Sequence, residues 1–505
     1  MFSKRTVRTL AYTIICGFVS YMLTEIILSR LPTAAPRTTL GVVKSSSAAS
    51  PQRTVTPTVP LTPAPTVPPT PPPTNLPTIA PDRKCTEADK LFPQNKKLKH
   101  IRDTINAPGV KLVDFKTHSD YGRKAQFGAV SEAKRAQMCT QLHPYVWIEC
   151  PLSANPSAQP NHKALPHEQK NRKPYRMCTN KSYIADIPCA FVELWGPVNK
   201  VVPGAVFDHE RTFTPQIYSR PAQTDYLLAK VGAHYKHLGV ALFPYPDAKG
   251  HFVHETLSRV VWLLKALPSD VMVLAPRLEF TNRYLEVIAE NGFNISRILP
   301  FKDQPRTVAY AEHIYVAGEW PFCQQQGNPN IGGEPTEYPY EVMSMLHKAL
   351  VPKDLPAKSR KSILVVDRGG GARRLTEHRI LVEALRKAHE PHGFKVEEFG
   401  PAEWKKPLRD HIAIFNRAAV VVGPHGAGFA NMVFCAEGTA VIEIGFNGKQ
   451  GMYMDEMYFQ LALGLHLRYW LILGEGGYGS AISADVKDIS LAVKQAVDGV
   501  QPNYV

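Results

Sequence analysis

Between residues 237 and 445 the chain alternates short apolar runs with longer amphipathic stretches. HLGVALF, from His237 to Phe243, has the length of a strand and is stopped by Pro244 and Pro246. Helical spacing follows from about His251 to Leu267. Val271 to Leu274 reads as a strand, Asn282 to Glu290 as a helix closed by Asn291-Gly292, and His313 to Ala317 as another strand. The rhythm then repeats, with strands at Ser362 to Asp367 and Phe394 to Phe399 and helices at Glu377 to His389 and Pro407 to Arg417. Strands joined through helices are parallel neighbours, and such sheets are covered by helices on both faces. The pattern therefore predicts an α/β protein of two doubly wound halves, joined near Pro339 to Lys358. Ligands of such folds bind in a cleft at the carboxyl ends of the strands.

The most compact unit is AVVVGPHGAGFANMVFCAEGTAVIEIG, from Ala419 to Gly445. Val420-Val421-Val422 is a buried strand ended by Gly423-Pro424. Phe429 to Ala436 has helical spacing closed by Gly438, and Ala440 to Ile444 is a second β-branched strand. Between strand and helix lies His425-Gly426-Ala427-Gly428. Small residues there let backbone N–H groups approach a ligand, and a helix start adds unpaired donors and positive potential. An anion site is one reading and a tight turn the other. The third glycine of the dinucleotide fingerprint G-x-G-x-x-G is missing.

The ends of the chain differ in kind from this core. Lys4, Arg5 and Arg8 precede an apolar run from about Leu10 to Leu28, long enough at ~1.5 Å per residue to cross a hydrocarbon core of ~30 Å. The charge bias makes it a type II signal anchor with the remainder lumenal, and a cleaved signal peptide is the alternative. From Leu31 to Pro81 nearly every residue is Pro, Thr, Ser, Ala or Val, which favours an extended stalk over a packed core. The expected division is therefore a cytoplasmic tail (1–9), a membrane anchor (10–29), a stalk (30–84), a first folded part (85–345) with a cysteine-bearing irregular stretch (85–200), and a second (346–505).

Of eight cysteines, all but Cys16 follow the apolar run. The spacings Cys139/Cys150 and Cys178/Cys189 are equal and loop-like, so two disulfides are expected among these four, with connectivity open. No C-x-x-C pair supports the zinc alternative. Asn180-Lys181-Ser182 and Asn294-Ile295-Ser296 are glycosylation sequons. The formal net charge of +15 suits nucleic acid, a membrane surface or an anionic substrate. The chain has no zinc-finger spacing, RNP aromatics or helical basic stripe, so no nucleic-acid partner is expected.

Gly423, His425, Gly426, Ala427, Gly428, Asn431, Phe434, Gly438 and Glu443 together resemble the signature of family 61 glycosyltransferases, roughly G-x-H-G-A-G-x-x-N-x-x-F followed by a glycine and a V-I-E-[IL] strand. Two further stretches extend the resemblance. Arg368, Arg374, Leu375 and Glu377, with Arg373 adjacent, fit R-R-x-x-x-x-R-x-[IL]-x-N-E, with Thr376 at the Asn position. His251, Glu255, Leu257 and Arg259 fit H-W-x-x-[DE]-x-L-P-R, with Ser258 in place of Pro. The resemblance implies the GT-B arrangement, two Rossmann-like domains facing a cleft, in a Golgi-type membrane enzyme using a nucleotide sugar.

The residues themselves are compatible with that chemistry. Three guanidiniums around Gly369-Gly370-Gly371 can make bidentate bonds to a diphosphate, although composition alone describes a solvated loop equally well. Four-residue steps put His251, Glu255 and Arg259 on one helix face, either as a surface ion-pair ladder or as a general base with its orienting partner. An imidazole suits deprotonation of a sugar hydroxyl, so His251 is the expected base and Glu255 the alternative. The expected donor site comprises Arg259, Arg368, Arg373, Arg374, His425, Gly426, Ala427, Gly428, Asn431 and Glu443, with Glu443 either binding a ribose diol or pinning the glycine loop. No D-x-D occurs, so metal-independent transfer without a cofactor is expected. The function expected is inverting transfer of xylose, arabinose or GlcNAc from a UDP-sugar to a glycan or glycoprotein in the Golgi or ER lumen. A non-catalytic glycan-binding or scaffold protein on the same fold, or a lumenal sulfotransferase, are the rival readings.

Overall fold

The structure, a computed structural model, describes residues 84–91, 99–101, 108–117, 129–131, 133–134, 181–193, 206–213, 230–241, 248–301, 307–320, 339–446 and 457–499. The apolar run at 10–28, the stretch from Leu31 to Pro81, Cys139, Cys150, Cys178 and Asn180 lie outside them. Among the described residues no helix is long and apolar enough to cross a membrane.

Two sheets organise the molecule. The first contains β1 (Lys99–Ile101), β2 (Lys111–Thr117), β3 (Lys181–Glu193), β4 (Val206–Phe207), β5 (Arg211–Phe213), β6 (Lys230–Val240), β7 (Met272–Pro276), β8 (Ile298–Phe301) and β9 (Thr307–Trp320). Their order is β1-β5-β4-β3-β9-β6-β7-β8, with β2 paired to β3. The run from β9 through β6 and β7 to β8 is parallel, as is the short β1–β5 pair, and β3 lies antiparallel to β9 along nearly its whole length. The expectation of parallel sheets is met in this portion. The antiparallel portion, built from residues before 214, adds a mixed edge that the alternating pattern did not signal.

Several features explain the helices that follow. A chain of helical turns starts with Lys249–His251, passes through a π-helical turn at Phe252–Thr256 and continues as α1 (Leu257–Ala266). The π turn is marked by the Leu257 N–H donating to the Phe252 carbonyl. α1 ends where buried Arg297 donates to the carbonyls of Leu264 at 2.8 Å, Leu267 at 3.3 Å and Val271 at 2.9 Å. These bonds satisfy acceptors that a helix terminus leaves open. Next come α2 (Glu279–Glu290) and, after β9, α3 (Tyr340–Leu350), which packs on α1 and α2.

The second sheet is wholly parallel. It comprises β10 (Ser362–Val366), β11 (Lys395–Phe399), β12 (Ala418–Pro424), β13 (Ala440–Phe446) and β14 (Arg468–Gly474), in the order β11-β10-β12-β13-β14. α4 (His378–His389) packs with α7 (Val486–Val497). A second layer contains α5 (Leu408–Asn416), a 3₁₀ helix at Ala427–Phe434 and α6 (Met457–Gly464). The expected helix at Phe429 to Ala436 is this 3₁₀ element, displaced two residues toward the glycine loop. Side chains from α1, α2, α3 and every strand of the second sheet belong to one continuous core. The helices beside the first sheet and the layer over the second are thus packed together.

One disulfide is present among the described residues, and it corrects the expected set. Cys189 is bonded to Cys85, across a sequence separation of 104, and not to Cys139, Cys150 or Cys178. Cys189 has a left-handed backbone, φ 53°, and drops out of the ladder between the Pro188–His313 and Ala190–Ala311 pairs. The short helical turn at Glu87–Lys90 packs on β3, which brings the two Cα atoms to 5.6 Å, within bridging range. Equal spacing in the sequence carried no information about this tertiary contact.

Candidate functional site

The strand order of the second sheet reverses between β10 and β12, and a doubly wound sheet binds its ligands outside the carboxyl ends of the strands at such a reversal. The two loops that leave those ends are the arginine–glycine loop from Asp367 and the glycine loop from His425. They are fitted to one another through bare backbone. A Cβ on Gly426 would lie 1.5 Å from Arg368 Nη1, so the guanidinium rests directly on that glycine. The same guanidinium donates from Nε to the Ala372 carbonyl at 2.9 Å and from Nη1 to the His425 carbonyl at 3.4 Å. Gly426 also adopts φ +146°, and a Cβ on Gly423 or Gly428 would press on Val366 at 2.7 Å. Burial, and then the nearby charge of Arg373, lower the pKa of Arg368 from its ordinary value.

Beneath the glycine loop runs a buried polar chain. His425 Nδ1 and Glu443 Oε1 are 2.5 Å apart, and the Tyr469 hydroxyl donates to Glu443 Oε2 at 2.5 Å. His425 is 1 % exposed and Glu443 fully buried. Through these contacts Glu443 ties His425 of the glycine loop to Tyr469 of β14, the loop-pinning arrangement that was one of its two expected roles.

The three arginines occupy different environments. Arg373, with φ 61°, lays its guanidinium over the Tyr478 ring at 5.1 Å, and its N–H donates to the Ser480 carbonyl at 2.6 Å. Arg374 is exposed, and its carbonyl accepts from the Ile482 N–H at 2.8 Å. Of the three, Arg368 lines the cavity described below, and Arg373 lies near enough for its charge to act on Arg368. Arg259 is a further correction. It is 1 % exposed, donates to the carbonyls of Ala317 and Glu255, and supports the helix from inside the core.

His251 and Glu255 do form a pair. Nδ1 of His251 lies 2.7 Å from Glu255 Oε2, with the carboxylate 8 % exposed and the imidazole 33 % exposed. The π turn begins directly after His251 and contains Glu255, a geometry that recurs at functional sites. Gly250, the preceding residue, packs against Ala427 of the glycine loop, which brings the histidine pair beside the switch point. His254, on another face of the same turn, is fully buried, and burial holds its imidazole well below its ordinary pKa.

A cavity of about 340 Å³ opens where these elements meet. Arg368, Ala427, Gly428 and Asn431 contribute to it, as the sequence suggested. Lys249, Arg283 and His411 also line it, with Trp404 and Phe399 among the apolar walls, and sequence reading singled out none of these. Lys249 stands two residues before His251, within reach of inspection. Arg283 and His411 carry no local signal, because α2 and α5 reach the cavity only through tertiary packing. Asn294 lies elsewhere: its exposed side chain accepts from the Ser296 N–H and hydroxyl at 3.1 and 2.6 Å.

Residues 250–442 match the family model described as Glycosyltransferase 61. The chain carries a glycosyltransferase 61 domain. The match starts immediately before His251 and runs through the arginine–glycine loop and the glycine loop. A comparison with curated proteins gave no match. The match supports a transferase working between a sugar donor and an acceptor.

Proposed function

We propose that the protein is an inverting glycosyltransferase that takes a pentose or GlcNAc from a UDP-sugar (UDP-xylose, UDP-arabinose or UDP-GlcNAc) and transfers it to a hydroxyl of a glycan or glycoprotein. On this reading it is a single-pass type II protein whose GT-B-like pair of Rossmann-like lobes works in the lumen of the Golgi or ER. The observation that supports the proposal is the His251–Glu255 pair, which follows Lys249 of the cation-lined cavity and Gly250, packed against Ala427 at the β10/β12 switch point.

Glu255 engages Nδ1 of His251, which leaves base function to Nε2. Nε2 takes the proton from the acceptor hydroxyl as its oxygen attacks the anomeric carbon. The C–O bond to the diphosphate breaks on the opposite face, giving inversion, and the leaving charge develops against Arg368 and the amides of the glycine loop. Cationic side chains take the place of a divalent ion. A donor panel on the purified protein, run with and without EDTA, tests the proposal. Transfer from one UDP-sugar that survives EDTA is expected, whereas transfer from none, or transfer lost with EDTA, rejects it. His251→Ala is expected to lower kcat at least 100-fold while UDP affinity changes by less than about threefold. Unchanged turnover would remove His251 as the base.

A further inference from the structure

The cavity carries a set of polar atoms that the fold does not satisfy. Asn431 donates from Nδ2 to the Gly428 carbonyl at 3.1 Å, yet its Oδ1 is buried without a hydrogen-bond partner. His411 binds the Glu403 carbonyl through Nε2 at 2.7 Å, so Nε2 carries the proton, and Nδ1 is buried without a partner. The Tyr284 hydroxyl is likewise buried and unpartnered. All three side chains line the cavity, and each is less than 10 % exposed. Buried polar atoms are nearly always paired because leaving one unpaired is costly, so three at one place mark a space shaped for a ligand.

The charge lining the same space is one-sided. Lys249, Arg283 and Arg368 face it, against the single carboxylate of Asp367. That carboxylate is occupied by the Gly369 N–H at 2.9 Å and packs on Gly400. Lys249 makes no ion pair or hydrogen bond with a described residue. It arises from the turn that carries His251, while Arg368 arises from the end of β10, so cations enter the cavity from both sides.

We infer that Lys249 is a donor-binding residue that closes the diphosphate site from the histidine side of the cavity, opposite Arg368, and that binding a nucleoside diphosphate draws a proton onto it. The inference rests on the proposed nucleotide-sugar reading. Burial, and then the charge of Arg283, bring the Lys249 ammonium down to about 8. The other groups facing it are Asp367, Arg368, Tyr284 and His411. His411 is held below its ordinary range by burial and is neutral at this pH. An anion placed beside Lys249 favours its charged form, so near pH 8, where the free lysine is about half protonated, binding takes up as much as about half a proton.

The test is UDP titration calorimetry on the full-length protein at pH 8, in buffers of different ionisation enthalpy, with pyrophosphate as a second probe. Wild type is expected to bind UDP with proton uptake. Lys249→Met is expected to weaken binding at least tenfold. Lys249→Arg is expected to keep affinity within about threefold and to lose the uptake, because a guanidinium does not titrate there. Since Lys249→Arg retains bulk and charge, it decides the question even where Lys249→Met folds poorly. Wild-type affinity in Lys249→Met, or undiminished uptake in Lys249→Arg, overturns the inference and leaves the donor reading standing. Pyrophosphate binding that depends on Lys249, without UDP binding, keeps the anion site and rejects the donor reading.

Discussion

Gly426 shows how one missing Cβ sets the chemistry of the site. The guanidinium of Arg368 occupies the volume that any side chain there would need, and the backbone sits at φ +146°. Gly426→Ala therefore both displaces Arg368 and strains the turn, at a backbone cost of about 1–2 kcal/mol before the lost charge is counted. We expect UDP affinity to fall at least about tenfold with the far-UV CD spectrum unchanged, and wild-type affinity would show that Arg368 does not serve the donor. Glu443 and Arg259 make the complementary point. Both match the family pattern, and both are buried on partners inside the protein, so they brace the glycine loop and the helix that carries the His251–Glu255 pair.

Among the elements, β10, β11 and α5 are tied by one carboxylate. Glu397 on β11 accepts from Arg417 at the end of α5 through both oxygens at 2.9 Å, and from the Ser362 hydroxyl on β10 at 2.8 Å. Arg417, followed by Lys395 and Ser362, holds this carboxyl at about 2 against the opposing effect of burial. A carboxyl depressed below its unfolded value, about 4.3, contributes stability above that value and loses it as pH falls toward the folded value. The stability difference between wild type and Glu397→Gln should therefore be constant above about pH 5 and shrink between about pH 4.5 and 2. Urea midpoints measured across that range give the answer, and a gap that does not narrow in acid would contradict the assignment.

Legibility follows the same physics. β10, β12 and β13 are buried on both faces and read as apolar, largely β-branched runs, so their limits in the sequence lie within a few residues of those observed, whereas β14 was not read as a strand at all. β6 is different. Its residues from Val231 to His237 alternate between partly buried and exposed, and the apolar pattern revealed only its buried end near Leu238. The π turn gave no signal, because His251, Glu255 and Arg259 keep four-residue spacing whichever helix type carries them. Arg283, Tyr284 and His411 were unreadable for another reason: a surface-like arginine or a core-like tyrosine becomes a site residue only when two distant helices face one cavity.

For the molecule as a whole, the second sheet and the helices of the first share a core, whereas the antiparallel edge of the first sheet is reinforced covalently. The Cys85–Cys189 bond closes a loop spanning 104 residues of sequence separation. Disulfides typically stabilise by about 2–4 kcal/mol, chiefly through the restricted unfolded chain. Replacing both cysteines, Cys85→Ser with Cys189→Ala, should lower the unfolding free energy by about that amount, and a reducing agent should bring wild type to the same midpoint. Equal midpoints for the oxidised wild type and the double variant would deny the bond a role in stability.

That cross-link also determines where mechanical load enters. Cys85 is the first cysteine after the Pro/Thr-rich stretch, and it is fastened to a strand with neighbours on both sides. A pull on the chain ahead of residue 85 is delivered into the interior of the first sheet, so the segment cannot be peeled off from its free end. Tension on the chain ahead of residue 85 would be absorbed there, well before it reached the arginine–glycine and glycine loops.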